Sequence, residues 1–583
     1  MTRTIIVGGV AGGMSTATRL RRNDEQREII VFERSGHVSF ANCGLPYHLG
    51  EVIPERDSLL LQTPESLHAR FNVDVHVRHE VRSIDPAART VVVRDLTTGE
   101  DRVWDYDDLV LAPGARPNIP PIPGIERGFA LRTVEDLDHM KERVDALAAN
   151  DHHDNYAAVV IGGGFIGVEV AENLAKRGLD VTLVEAAPQI MTQLDPEMAA
   201  RVRRTMEEHG IHVLTNTVAT EIGEDTVTAR TASSPADEEA EAFIIHADIV
   251  ITAIGVVPDS QLAIDAGLKH DARGFIVIDS KCRTSDPHIF ALGDAVAKRD
   301  FITEAPVPLP LAQNANRHGR IVADVLVGRE VNTKPVVGTA IIGVFGLVAA
   351  ATGWSETRLR SKGRPYRVLH SHPINHVGYY PGAQQMALKL LVDPNTDAIL
   401  GAQAVGGDGV DKRIDVIATA IAGGIRASEL ADLELAYAPQ FGAAKDPVAL
   451  LGMMNENRAG GDATVQWYEV QPRMDQGVPL VDVRTPGEVE REPIPGAVNY
   501  PVDELRDNID AIRKLARGGD GTVMVTCRVG QRGHIAARIL GSHGISAANL
   551  DGGYLTWADG MLANRYAKGT GNQPEAATPQ TRG

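Results

Sequence analysis

The chain has 583 residues, 43% of them hydrophobic, and a formal net charge of −19 at pH 7. That length predicts three to four domains at about 150 residues each, and the acidic balance excludes a global nucleic-acid or membrane surface, so a phosphorylated ligand must be met by a local basic pocket. Three cysteines in so long a chain fit a reducing, cytoplasmic compartment rather than a disulfide framework, and Met1-Thr2-Arg3 runs straight into an apolar strand without a signal peptide.

In chain order, Thr4-Ile5-Ile6-Val7 leads into Gly8-Gly9-Val10-Ala11-Gly12-Gly13. This strand, turn and helix start match a dinucleotide fingerprint, with Val10 where its second glycine belongs. Glu33 ends the next strand 20 residues past Gly13, where an acid can meet a ribose hydroxyl. Cys43 follows in the polar loop Ser39-Phe40-Ala41-Asn42-Cys43-Gly44-Leu45-Pro46-Tyr47. It has no second cysteine within four residues, so a thioredoxin-like dithiol cannot form there.

The second unit carries the full fingerprint. Gly162, Gly164 and Gly167 follow an apolar strand and open a helix through Phe165, Ile166 and Glu169, with glycines for the tight turn and helix amides for pyrophosphate. Glu185 ends the next strand 18 residues past Gly167, and Ala186 and Ala187 after it favour NADH, with NADPH still open.

Further on, Thr231 to Glu241 reads as a hairpin tip or surface loop. Val336 to Trp354 is apolar but broken by Gly338, Gly343, Gly346 and Gly353, which predicts buried strands joined by glycine turns rather than a membrane helix. Asn455 to Asp462 reads as a linker, a new domain starts near Thr464, and Lys568 to Gly583 reads as a disordered tail.

Leu109-Val110-Leu111-Ala112-Pro113-Gly114-Ala115 and the segment Thr284 to Asp294 resemble the later FAD motifs of the two-dinucleotide-binding-domain flavoprotein reductases, a resemblance covering about residues 1 to 455. It implies FAD at Gly8, Gly9, Val10, Ala11, Gly13, Glu33, Arg34, Pro113, Gly114 and Asp294, with Asp294 bonding the ribityl chain and Pro113 replacing the usual threonine. NAD(P)H then falls to Gly162, Gly164, Phe165, Ile166, Gly167, Glu169 and Glu185, with Gly255 and Pro258 in its return loop.

The Cys43 loop resembles that of the single-cysteine coenzyme A disulfide reductases. This implies a catalytic thiolate whose pKa is lowered by helix-start amides, and coenzyme A held by Arg19, Arg22, Ser39, Asn42 and Lys445. Phe71 stands where that family can place a lysine, with Arg70 as a substitute. It further implies a homodimer in which the partner's interface domain brings Tyr379 and Tyr437 to the substrate sulfur. Residues 464 to 566 resemble a rhodanese domain, with Cys527 as nucleophile in a loop containing Arg528, Gly530, Arg532 and Gly533 and a helix from about His534. Cys282 is read as structural, and no metal is expected.

The expected fold is α/β: an FAD domain at 1–120 and 255–328, an NAD(P)H domain at 121–254, an α+β dimerisation domain at 329–455, a rhodanese domain at 464–566 and a tail at 568–583. The implied function is NAD(P)H-driven reduction of coenzyme A disulfide and persulfide or polysulfide. Its competitors are an NADH oxidase working through a Cys43 sulfenic acid, disfavoured because the first glycine turn lacks a histidine, and a non-turnover thiol sensor or sulfur carrier.

Overall fold

The structure is a computed structural model that describes residues 2–148, 156–231, 242–518 and 521–568. Contacts divide the chain into two compact units, Met1–Val184 with Thr217–Val336, and Glu185–Asn216 with Val337–Gly583.

The first unit is built on a five-stranded parallel sheet in the order Ile289–Ala291, Asp108–Leu111, Arg3–Val7, Glu28–Glu33, Asp74–Val77. Parallel strands covered on both faces must be apolar on both. Accordingly Ile5, Ile30, Leu109 and Leu111 pack to one side with Leu268 and Ile276, while Ile6, Ile29, Val31 and Val110 pack to the other with Leu20, Leu67 and Val322. Helix Ala11–Asn23 lies against helix Ala312–Leu326, so closely that a Cβ on Gly319 would meet the Gly12 carbonyl.

A second parallel set places Ala157–Ile161 between Asp180–Val184 and Ile249–Thr252, with helix Phe165–Lys176 following the first of these strands. The two glycine turns are superimposable in their constraints. Gly8 (φ +100°) and Gly162 (φ +112°) are left-handed, and a Cβ on either would collide with the carbonyl of Ala112 or Ala253. Gly13 and Gly167 leave no room for a Cβ against the carbonyls of Gly8 and Gly162. Gly164, the counterpart of Val10, has no atom within 4 Å of its would-be Cβ. Val10 therefore falls at the one fingerprint position where the chain itself tolerates a side chain.

In the second unit, strands Ala340–Val344, Leu347–Gly353, Ile399–Gly406, Ala387–Val392 and Arg367–Ser371 form an antiparallel sheet in that order, covered by helix Val410–Gly423. The apolar stretch at 336–354 is thus a hairpin, turned by Phe345 (φ +48°) and Gly346 (φ +82°). A last parallel sheet runs Thr464–Val465, Ser546–Leu550, Thr522–Thr526, Leu480–Asp482, Val498–Asn499. The fold is α/β as expected.

The predicted linker is corrected. Helix Pro447–Ala459 runs through its first half, because Asn455 is fully buried and donates to Asp397 Oδ1 (2.7 Å) and Ser428 Oγ (3.0 Å) while accepting from Arg367 (2.6 Å). Arg458 then reaches forward to the Asp462 carbonyl. The connection is a packed element and not a free tether. The helix after the Cys527 loop starts at Gln531, three residues before the expected point. Of the surface loop read at 231–241 only Thr231 is described, ending strand Thr226–Thr231, which pairs with Ala242–His246; of the predicted tail only Lys568 is described, capping helix Gly553–Ala567, and the remaining residues of both lie outside the described ones.

Candidate active site

The Cys43 loop is tied to the first glycine turn. Ser39, at φ +52°, donates its N–H to the Gly9 carbonyl at 2.8 Å. Asn42–Gly44 then form a single 3-10 turn running into helix Leu45–Leu49, whose early Pro46 needs no amide partner. Cys43 is exposed. Tyr47 donates to Glu169 Oε1 at 3.1 Å, so the helix that follows the second glycine turn is fastened to the thiol loop. One thiol thus stands beside both turns.

Its electrostatics depart from expectation. Although the Cys43 side chain reaches the surface, the protein atoms around it displace enough water to push the thiol above its ordinary value, with the Glu169 charge next; Arg132 opposes this and Asp294 adds to it. The expected lowering by helix amides is not found, because the turn is one residue triplet long and an acid faces it. Glu169 itself is raised by burial, with the Tyr47 hydrogen bond acting against it.

The residues read as FAD ligands converge. Glu33 is buried and accepts the N–H groups of Gly9 (2.7 Å) and Ser35 (2.8 Å), Arg34 pairs with Asp259 (2.8 Å), and Pro113 and Gly114 follow strand Asp108–Leu111. Asp294 lies on the short turn Gly293–Ala295 within 3.4 Å of Arg132. Helix Ala11–Asn23 starts at Val10 and helix Phe165–Lys176 at Gly164, neither closed by a side-chain cap, so their first amides are available to phosphate. Gly255 is left-handed (φ +85°) with open space around it. Glu185 Oε1 accepts the Ala187 N–H at 2.7 Å. Both turns therefore fit a dinucleotide by the constraints of their backbone.

Sequence reasoning passed over Arg132, which carries no motif, and Lys298 and His318. Lys298 is buried, donates to the Gly293 carbonyl next to Asp294, and is pushed down by burial to about 8. His318, also buried, keeps an unpartnered Nδ1.

The coenzyme A residues divide. Arg19 is committed to Asp324 through two bonds of 2.9 and 2.6 Å, whereas Arg22, Arg70 and Lys445 are exposed. Asn42 Nδ2 reaches the Arg132 carbonyl at 3.4 Å. Phe71 is half-buried against the first unit's core. In the second unit, the hydroxyls of Tyr379 and Tyr437 meet at 3.3 Å on exposed side chains, at the edge of a cavity of about 530 Å³ lined by Tyr437, His376, Lys412 and Phe441.

Cys527 is fully buried at the end of strand Thr522–Thr526, where Sγ accepts the Gly530 N–H at 3.1 Å. Gly530 (φ +91°) turns the chain into the helix, and a Cβ on Gly533 would collide with Asn549. Arg532 is paired with Glu488 (2.7 Å), whose carboxyl is held down to about 2 by that arginine, and Arg528 is paired with Glu492 (2.7 Å). Cys282 is buried in the first unit's core, as read. Its thiol is pushed up by burial.

Two glycine-turn nucleotide folds around one thiol loop, an antiparallel interface fold and a separate thiol on a small parallel sheet define a flavin-type pyridine nucleotide reductase joined to a sulfurtransferase fold. Residues 2–319 match the family model of the pyridine nucleotide-disulphide oxidoreductases, 332–447 match the dimerisation domain of that family and 466–559 match the rhodanese-like domain. The chain belongs to the pyridine nucleotide-disulphide oxidoreductase family, whose members use FAD and NAD(P)H, and it carries a C-terminal rhodanese-like domain. It is 33% identical over 455 residues to coenzyme A disulfide reductase of Staphylococcus aureus, covering 78% of this chain and 99% of the relative. Reduced Bacillus anthracis CoADR-RHD matches with a TM-score of 0.90 at 43% identity, over 96% of this chain and 98% of that one. A NAD-dependent persulfide reductase from A. fulgidus matches with a TM-score of 0.86 at 33% identity, over 95% and 100%. Among the described residues no helix is long and apolar enough to cross a membrane.

Proposed function

We propose that this chain is an FAD-dependent NAD(P)H reductase of coenzyme A disulfide and of coenzyme A persulfide or polysulfide, acting through Cys43 and supplied with sulfane sulfur by Cys527. The observation that carries it is the single thiol in a loop bonded to one glycine turn through Ser39 and to the helix of the other through Tyr47 and Glu169. The domain roles are those expected from the sequence, with the FAD fold at 1–120 and 255–328 and the NAD(P)H fold at 121–254.

Gly8, Gly13, Glu33 and Asp294 would hold FAD, which when bound passes an electron pair from nicotinamide to sulfur. Cys43 is the nucleophile: its thiolate attacks one sulfur of coenzyme A disulfide, forming a Cys43–coenzyme A mixed disulfide and releasing one coenzyme A thiol. The net reaction consumes NADH and a proton and gives NAD⁺ and two coenzyme A thiols. With coenzyme A persulfide the products are one coenzyme A thiol and hydrogen sulfide.

Cys527 attacks the sulfane sulfur of a donor such as thiosulfate, expelling sulfite, and the resulting persulfide passes its outer sulfur to the coenzyme A thiol. Arg22, Ser39, Asn42 and Lys445 remain the coenzyme A residues of this reading, while Arg19 would act only after leaving Asp324. The homodimer, in line with the dimerisation domain, would bring the partner's Tyr379–Tyr437 phenol pair to the leaving thiolate. Glu185 and the small residues after it support NADH as the preferred donor.

The test is NADH oxidation by the FAD-loaded protein on addition of coenzyme A disulfide or of polysulfide with coenzyme A, against an air-only blank. Sustained turnover with either acceptor is the expected result. Consumption no faster than the blank overturns the proposal; a blank that itself consumes NADH then leaves oxygen as the acceptor, and a silent one leaves a non-turnover sensor or sulfur carrier.

A further inference from the structure

We propose that His370, on the interface-domain strand Arg367–Ser371, is a positioning residue for the Cys527 loop, so that sulfur transfer depends on a side chain outside the rhodanese-like domain. The proposal rests on the reading of Cys527 as the sulfur-accepting thiol. His370 is buried between two acids that come from different parts of the second unit. Its backbone N–H and its Nδ1 both meet Asp551 Oδ2, at 2.9 and 3.1 Å, and its Nε2 lies 3.0 Å from Glu197 Oε1.

Each acid is anchored from behind. Glu197, on helix Pro196–Glu208, also accepts from Lys389 at 2.6 Å, and Lys389 lies 2.9 Å from Asp195 and 2.7 Å from Glu356. These three carboxylates converge as metal ligands would, but the Lys389 ammonium already stands among them. A buried charge set is costly unless each member is paired, and here the pairing makes His370 a fixed post rather than a mobile side chain. On the other side, Gln466 Nε2 donates to the same Asp551 oxygen at 3.1 Å.

Asp551 begins the turn that seats the thiol loop. Gly552 and Gly553 follow it, both left-handed at φ +69° and +65°. A Cβ on Gly552 would lie 2.0 Å from Thr556 Oγ1 and 2.7 Å from His370 Cβ, and one on Gly553 would lie 2.5 Å from the Cys527 carbonyl oxygen and 2.7 Å from the Gly530 nitrogen. Both glycines are thus required by close approach, one towards Thr556 and His370 and the next towards the thiol loop. Tyr554 N–H donates to the Cys527 carbonyl at 2.7 Å and Leu555 N–H to the Arg528 carbonyl at 3.1 Å. Gly530 N–H, which donates to Cys527 Sγ, belongs to the loop those two bonds hold.

From His370 to the thiol there is one ion pair and one backbone turn. Freed from the histidine, Asp551 retains Gln466 as a donor, and its two glycines give the turn the freedom to rotate. The N–H···S contact, close for a sulfur acceptor at 3.1 Å, depends on where that turn holds the loop and lengthens when the turn moves. His372, just past the end of that strand, supports the turn from a second point, with Nε2 2.7 Å from Thr556 Oγ1.

The experiment uses the full-length, FAD-loaded protein and its His370→Ala and His370→Gln variants. Three quantities are read: thiosulfate-to-cyanide sulfurtransferase kinetics, the iodoacetamide labelling rate of Cys527 by peptide mass, and NADH-driven reduction of coenzyme A disulfide. His370→Ala should lower sulfurtransferase kcat about tenfold at unchanged KM for thiosulfate and alter Cys527 labelling, with coenzyme A disulfide reduction within twofold of wild type. His370→Gln, which keeps a donor towards Asp551, should recover at least half of kcat.

Wild-type kcat and labelling in His370→Ala overturn the proposal, as does parallel loss of both activities and of FAD, which marks a general structural role. If His370→Ala does not fold, Asp551→Asn decides: kcat falls with KM kept, or the proposal fails. Sulfurtransferase activity persisting in Cys527→Ser would overturn the reading of Cys527 alone, since the labelling measurement does not depend on turnover.

Discussion

At the scale of single residues, the reactivity of Cys43 is set by a balance the motif does not display. Burial and the Glu169 carboxylate raise the thiol and Arg132 lowers it, so the protein alone keeps this sulfur more protonated than an ordinary cysteine. Removing one acid should shift the balance measurably. Glu169→Gln is expected to move the pH midpoint of Cys43 alkylation downward and to speed alkylation at pH 7 by about threefold to tenfold, the size of one screened charge at a few ångströms. An unchanged midpoint, followed by mass spectrometry of the Cys43 peptide, would rule out Glu169 as the governing charge. Cys43→Ser should cut NADH-driven disulfide reduction at least a hundredfold while bound flavin is still bleached by NADH, because hydride transfer to flavin needs no thiol. Cys43 itself was legible from its loop. Glu169 as its neighbour was not, since Tyr47 and Glu169 are 122 residues apart and no spacing rule joins them.

At the scale of elements, the two glycine turns were the most legible part of the chain because their constraints are local. Of the three fingerprint positions, the two where a Cβ would strike a backbone carbonyl have glycine in both turns, and the open one differs, Val10 against Gly164. The segment at 455–462 was misread for the opposite reason: its glycines and polar residues resemble a linker, and only the distant Asp397, Ser428 and Arg367 make Asn455 part of a buried helix. The His370 cluster was equally invisible in sequence, and it gives a pH prediction. Burial opposes the charge on His370, but Asp551 and Glu197 outweigh it and lift the imidazole from 6.5 to about 9 against the repulsion of Lys389. A folded-state value above the unfolded one means the stabilisation is fully present below about pH 6.5 and is lost as pH rises through about 9. His372, kept neutral by burial and by Arg201, titrates in the opposite sense and acts only on the acid side. Thermal melts of wild type should therefore lose more Tm between pH 7 and pH 10 than those of His370→Gln, whose side chain does not titrate. Parallel Tm curves for the two proteins would show that His370 is not charged in the fold.

At the scale of the whole molecule, Cys43 and Cys527 belong to two different compact units, each in its own loop with its own neighbouring charges. The order of the folds along the chain was readable because each announces itself by a strand and a loop of distinctive composition; the homodimer came only through resemblance, since no residue pattern within one chain encodes its partner. The separation predicts independent chemistry. In the proposed function, coenzyme A disulfide already carries the sulfur–sulfur bond that Cys43 would open, so its reduction has no use for a sulfane carrier, whereas thiosulfate would be opened at Cys527 first. Cys527→Ser should abolish thiosulfate sulfurtransferase activity and leave the kcat/KM for coenzyme A disulfide within twofold of wild type, because the polar partners of the lost thiol, the Gly530 N–H at 3.1 Å and the Arg532 guanidinium, both belong to its own loop and helix. Polysulfide reduction should fall only by the share of sulfur that passes through the rhodanese-like domain. Loss of coenzyme A disulfide reduction in a folded, FAD-replete Cys527→Ser protein would place Cys527 in the reductive path itself and end the two-site description.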